Sequence, residues 1–144
     1  KAGIIAVFSA GNSGPRFFSG ESPGNYPETI AVGATTMFDR VASFSSRGPG
    51  NCDRKIFPDL AAPGLAVVSS APGGSYQAIS GTSQAAPHVT GIIALMLDAR
   101  PDLRVDEVLS ALKQTAKRTS LLRPNYSSGW GRADALSAVN AVLP

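Results

Sequence analysis

Cysteine is nearly absent: the one thiol of this 144-residue chain, Cys52, excludes an internal disulfide framework. It sits in the polar turn Pro49-Gly50-Asn51-Cys52-Asp53 with no histidine or second cysteine nearby to share a metal, and reads as an incidental free thiol. Histidine is as scarce, with His88 alone. No apolar run reaches membrane-spanning length, so no membrane partner is expected. The amino terminus, Lys1-Ala2-Gly3-Ile4, has neither a signal-peptide core nor a cleavage pattern, and it opens directly into a buried-strand pattern with no starting methionine. That opening reads as a segment processed or excised from something longer. Aromatic residues are few (7%) and do not interleave with the charges. The basic excess, 13 Lys and Arg against 10 Asp and Glu, lies mostly at Lys113, Lys117, Arg118, Arg123 and Arg132. It reads as a solvated helix face, and no nucleic-acid partner is expected.

Glycine (15) and proline (11) are plentiful and punctuate short apolar runs, and 43% hydrophobic content suffices for one sizeable core. Gly3-Ile4-Ile5-Ala6-Val7-Phe8-Ser9-Ala10 and Ile30-Ala31-Val32-Gly33-Ala34-Thr35 are continuous apolar runs, the pattern of parallel strands covered on both faces. Val41-Ala42-Ser43-Phe44-Ser45 alternates like a half-buried strand. Ala66 to Ser69, after an Ala62-Pro63-Gly64 turn, and Tyr76 to Ser80 read as two further strands. From Thr82 the small and apolar residues Ala86, Val89, Ile92, Ile93, Leu95, Met96 and Leu97 predict a core helix apolar nearly all round. Pro101 ends it. Val105, Val108, Leu109, Leu112 and Ala116 mark an amphipathic helix with Asp106, Glu107, Lys113 and Lys117 on its charged face, and a last helix is expected from about Ala133 to Val142. The fold class is α/β, a parallel sheet with covering helices. No internal repeat or low-complexity segment is present.

A serine hydroxyl is a weak nucleophile, so a chain that uses one must supply a base for its proton and donors for the developing oxyanion. Ser83 opens the predicted core helix, where the dipole and the unpaired first-turn amides lie beside it. Gly81 is read as allowing a sharp backbone turn there. A bare Gly-Thr-Ser would be explained by helix capping alone. Here Ser80-Gly81-Thr82-Ser83-x-Ala85-Ala86-Pro87-His88-Val89-x-Gly91 resembles the nucleophile motif of the subtilisin-like serine peptidases. The resemblance runs on in order through Phe8-Ser9-Ala10-Gly11-Asn12-Ser13-Gly14, Tyr26-Pro27-x-x-Ile30-Ala31-Val32-Gly33-Ala34, Ala42-Ser43-Phe44-Ser45-Ser46-Arg47-Gly48, Pro58-Asp59-Leu60-x-Ala62-Pro63-Gly64 and Gly129-Trp130-Gly131-Arg132-Ala133-Asp134-Ala135.

The resemblance implies that residues 1–144 are the carboxy-terminal part of a subtilisin-like peptidase domain, with Ser83 as nucleophile and Asn12 and the Ser83 amide as oxyanion donors. It implies Ser9, Ala10, Gly11 and Glu21 as substrate-binding positions. A carboxylate at Glu21 would favour substrates with Lys or Arg before the scissile bond. The catalytic aspartate and histidine of such enzymes precede the oxyanion asparagine, so this chain starts after both. The expected partners are a polypeptide substrate and the missing amino-terminal part of the domain. The isolated chain is expected to be inert, and the parent to be secreted. His88 is expected to be buried, hydrogen-bonded and structural, Asp59 and Asp134 to hold turn and cap positions, and Trp130 to anchor the closing turn. Gln84 stands where the family usually has methionine. No cofactor is required, and the Gly24 to Thr29 carbonyls resemble a weak calcium or monovalent cation site. An open edge beside the Gly3 to Ala10 strand would promote self-association. Two other readings fit part of the pattern: a sedolisin-type peptidase, and a non-catalytic binding or structural module derived from a subtilisin-like domain.

Overall fold

The computed structural model describes residues 3–50 and 56–143. Cys52, with Asn51 and Asp53, lies outside the described residues. Strands β1 (Val7–Ser9), β2 (Ile30–Thr35) and β3 (Leu60–Pro63) form a parallel sheet in the order β1-β2-β3, with Val7 opposite Ile30 and Val32 opposite Leu60. An antiparallel hairpin follows, β4 (Val67–Ala71) and β5 (Ser75–Ile79). Three helices complete the chain: α1 (Thr82–Ala99), α2 (Val105–Thr115) and α3 (Ala135–Asn140).

Strand β2 shows why a continuous apolar run marks a central parallel strand. All six residues are buried. Ile30, Val32 and Ala34 join one cluster with Val89, Ile92, Ile93 and Met96 of α1, and Ala31 turns the other way to meet Ala10 and Phe57. Burial on both faces leaves no polar alternation to read. Burying these side chains stabilises the sheet and α1 together, at roughly 1.5–3 kcal/mol for each large one.

Four expectations need correction. Only Val7–Ser9 of the first run joins the ladder. Segment 41–45 is a turn with a single bridge, Val41 to Thr35, because the buried Ser45 hydroxyl itself accepts from the Ala34 amide (3.0 Å) where a strand would have continued. Leu60–Pro63, expected only as the approach to a turn, is the third parallel strand. Helix α1 is buried along Thr82, Ala85, Val89, Ile92, Ile93 and Met96, but its other side, with Pro87, Thr90, Gly91, Ala94 and Leu95, is exposed.

Of the basic residues Lys117 and Arg118 are exposed, but Lys113, Arg123 and Arg132 are only partly so. Lys113 lies 3.3 Å from Asp59, which is buried and also accepts from the Ala31 amide (2.9 Å). Asp59 lies in the bend that leads into β3, and it is also a buried tie between β2 and α2. Arg132 pairs with Asp39. Arg123 donates to the carbonyls of Lys113 and Gln114 at the end of α2 and lies 5.9 Å from the Trp130 ring centre. Trp130 also donates its backbone N–H to Asp59 (2.9 Å), the anchoring expected of it. Among the described residues no helix is long and apolar enough to cross a membrane.

Asp134 does cap its helix: its carboxylate accepts from the Ser137 amide (3.0 Å) and lies 2.8 Å from the Lys117 ammonium. Lys117, followed by Ser137, holds this carboxyl well below the ordinary range. A folded-state pKa below the unfolded one of about 3.9 means that the pair stabilises fully above about pH 5, and the contribution fades as pH falls through the folded value. Asp134→Asn keeps a capping group but loses the charge. We expect it to cost about 1 kcal/mol at pH 7. In parallel thermal melts the gap to the wild type should close in acid; a gap independent of pH would show that the charge is idle.

Candidate active site

The site lies where β1 and β3 both end. Residues 10–12 leave β1, and the Ala10 amide still bonds to Val32 (3.0 Å). From β3 the chain reaches Gly64, whose carbonyl accepts from Gly81 (2.8 Å), and Gly81 precedes α1. Two strand ends thus bring Asn12 and Ser83 to one place. The chain bends at Gly81 as expected, with extended dihedrals (φ 161°, ψ 161°); a Cβ on it would meet Gln84 Oε1 at 2.8 Å.

Thr82 joins the two segments, and sequence reading treated it only as a helix cap. It is fully buried. Its hydroxyl accepts from the Gly11 amide (3.2 Å) and donates to Asn12 Oδ1 (3.0 Å), while its own backbone N–H donates to the same oxygen (2.9 Å). A backbone N–H can only donate, so the oxygen of the Asn12 amide must face Thr82. The Asn12 Nδ2 is thereby turned outward, beside Gly81. Among the described residues neither Nδ2 nor the Ser83 amide has a protein acceptor. The signal for Thr82 was present in its place between glycine and the serine at the helix mouth.

Ser83 is exposed, in the first turn of α1. Its flank is a shallow hollow of about 440 Å³ lined by Val7, Phe8, Ser9, Ala86, Pro87 and Thr90. The positive end of the helix and two uncommitted N–H donors therefore lie around a serine hydroxyl that faces solvent. His88 does not reach it. The imidazole is exposed, against expectation, and its Nδ1 is engaged with the Gln84 carbonyl (2.8 Å) of its own helix. The buried stripe of α1 passes through Ala85 and Val89, which leaves position 88 on the outer side.

Ser9 is half-buried in β1, and Ala10 and Gly11 are buried behind Asn12. Glu21 is exposed, yet its side chain lies over Gly11: a Cβ on Gly11 would come 2.6 Å from Glu21 Cδ. Ser13, which the sequence reading did not single out, donates to Glu21 Oε1 (2.6 Å). In the next turn the carbonyls of Pro23, Gly24 and Tyr26 converge on one hydroxyl, Thr29 Oγ1, at 3.4, 3.0 and 2.9 Å. The Pro23 and Tyr26 carbonyls also accept from the backbone N–H groups of Tyr26 (3.1 Å) and Thr29 (3.2 Å). Among the described residues no cluster of His, Cys, Asp or Glu could hold a metal.

Functional groups at the carboxyl ends of parallel strands, beside the start of a covering helix, define an open α/β protein with its site at the sheet's edge. Comparison with known proteins places it more closely. The subtilase family model, peptidase S8, matches residues 1–131, and the chain belongs to that family. It is 40% identical to bacillopeptidase F of Bacillus subtilis (strain 168), over 98% of this chain and 10% of that protein. It is 39% identical to the serine protease AprX of the same organism, over 98% of this chain and 36% of that protein. Subtilisin BL of Lederbergia lenta is 40% identical over 92% of this chain and 46% of that protein. The chain thus spans less than half the length of each of these relatives.

Proposed function

We propose that this chain is the nucleophile-bearing part of a secreted serine endopeptidase. The observation that carries the reading is the Asn12 amide, locked by Thr82 so that its N–H groups face the helix start where Ser83 is exposed. Ser83 Oγ attacks the carbonyl carbon of a peptide while its proton passes to a base. The oxygen that becomes negative takes hydrogen bonds from Asn12 Nδ2 and the Ser83 amide. Collapse breaks the C–N bond, the amine leaves with the proton from the base, and water then releases the acyl group from Ser83. Base and orienting carboxylate come from a segment outside this chain, because His88 is held by its own helix.

That segment has a ready place. Among the described residues β1 pairs only with β2, so its other edge is open there, and the hollow beside Ser83 and the exposed side of α1 adjoin it. Without the segment, the same edge favours pairing between copies of the chain. The carbonyls around Thr29 would hold a weakly bound calcium or monovalent cation, with a structural role. Asn12 argues against the sedolisin reading, since those enzymes use an aspartate there.

The test is labelling by a fluorophosphonate probe. The chain alone should remain unlabelled, and the chain combined with a segment bearing the aspartate and histidine should gain one adduct, mapped to Ser83. Labelling of the chain alone would overturn the need for a second segment. No labelling of the combined protein would favour a non-catalytic module.

A further inference from the structure

We infer that Gln84 is a third donor to the oxyanion, through Nε2 of its side-chain amide; this rests on the reading of Asn12 and the Ser83 amide as the first two. Gly81 shows where the three groups meet. Its backbone is buried and extended (φ 161°, ψ 161°), and the lack of a side chain leaves room beside it. The place where a Cβ would stand lies 2.8 Å from Gln84 Oε1, 3.6 Å from Asn12 Nδ2 and 3.7 Å from the Ser83 backbone nitrogen. Both oxyanion donors and one side-chain amide therefore border the same small space.

Gln84 is held by its backbone and free at its side chain. Its N–H donates to the Gly81 carbonyl (3.1 Å), and its own carbonyl accepts from His88 Nδ1 (2.8 Å). Its half-buried side-chain amide has no hydrogen-bond partner among the described residues. The amide oxygen is the end nearer the two donors, complementary to their N–H groups. A reacting substrate reverses that demand. The carbonyl oxygen that Ser83 attacks becomes negative beside Asn12 Nδ2 and the Ser83 amide, where a second oxygen would repel it. The two ends of a carboxamide fill nearly the same space, and the last torsion of a glutamine is broad and roughly two-fold. Half a turn about it replaces Oε1 by Nε2 and adds a charge-assisted hydrogen bond to the oxyanion. The neutral carbonyl of the substrate gains little from the same group, so the effect falls on turnover.

The experiment uses the protein assembled with its base-bearing segment, one peptide substrate, the aldehyde of its acyl half and the matching alcohol. The aldehyde adds to Ser83 and forms the tetrahedral oxygen; the alcohol cannot. Gln84→Met keeps the length of the side chain and loses the donor. It should lower kcat about tenfold with KM nearly unchanged, less than the loss of Asn12, because no hydrogen bond holds the Gln84 amide in place. Gln84→Glu keeps the shape and sets a carboxylate beside the developing charge, so a loss of about thirtyfold is expected at neutral pH. In both variants affinity for the aldehyde should fall in step with kcat while affinity for the alcohol stays, a split that a merely structural role would not produce. Unaltered kcat in Gln84→Met would overturn the assignment. So would a Gln84→Glu form as active as the unmodified protein, which would make the amide an acceptor for Asn12. Absence of turnover in the unmodified assembled protein would instead sink the peptidase reading, and this assignment with it.

Discussion

Asn12→Leu in the assembled peptidase is expected to lower kcat by about 10²–10³, the magnitude known for the oxyanion asparagine of subtilisin, with KM nearly unchanged. The split follows from when the bond is made. A neutral carbonyl gains little from Nδ2, whereas the tetrahedral oxyanion gains a directed donor at no cost of reorganisation. Preorganisation is visible in the structure as the two hydrogen bonds that hold Oδ1 against Thr82. Thr82→Val should therefore give a partial copy of the defect. It removes the hydroxyl that bridges Gly11 and Asn12 but leaves the backbone bond at 2.9 Å. Roughly a tenfold loss in kcat is expected from it, since one of two restraints remains. Steady-state kinetics on one peptide substrate separates the cases. Unaltered kcat in Asn12→Leu would remove the asparagine from the mechanism.

Thr82 also shows where the sequence could be read and where it could not. Ser83 and Asn12 could be singled out because each lies in a motif whose neighbours are specific: small residues after the serine, glycines around the asparagine. The bond between the two segments was not, because it is made across 70 residues by a side chain that local reasoning assigns to capping. Strand β2 was legible because burial on both faces leaves a bare apolar run. Strand β3 was hidden by its four-residue length and terminal proline. The alternation of segment 41–45 misled because Ser45 spends its hydroxyl on the Ala34 amide, a choice that periodicity does not encode. Charges were the least legible feature. Lys113, Arg123 and Arg132 have helical and loop spacings typical of solvated residues, yet each is taken up by a partner distant in sequence. The exposure of His88 follows from the one-sided burial of α1, which composition could not show.

Gly129→Ala is expected to be strongly destabilising. Gly129 has φ +58°, and a Cβ there would lie 2.2 Å from the Asp59 carbonyl oxygen and 2.3 Å from that of Pro58, both backbone atoms. Gly73 provides the control, since it too has a positive φ (+80°) but nothing within 4 Å of the added atom. Gly73→Ala should cost only the left-handed backbone term, about 1–2 kcal/mol. Gly129→Ala adds a contact that only backbone movement can relieve, for a total of roughly 3–5 kcal/mol. Against a typical stability of about 5–15 kcal/mol that is a large fraction. The melting temperature should fall by more than about 10 °C, well beyond the control. Equal melting temperatures for the two variants would show that the closing turn yields freely. The damage should also reach the site. The segment after Gly129 runs along β3, with the Trp130 N–H donating to Asp59 and the Ala133 N–H to Ala61, each at 2.9 Å, and β3 leads to Gly64, which holds Gly81 two residues before Ser83. A methyl group at position 129 therefore pushes on the strand that leads to Ser83, so labelling at Ser83 should fail at a lower temperature than in the wild type, in step with the loss of fold.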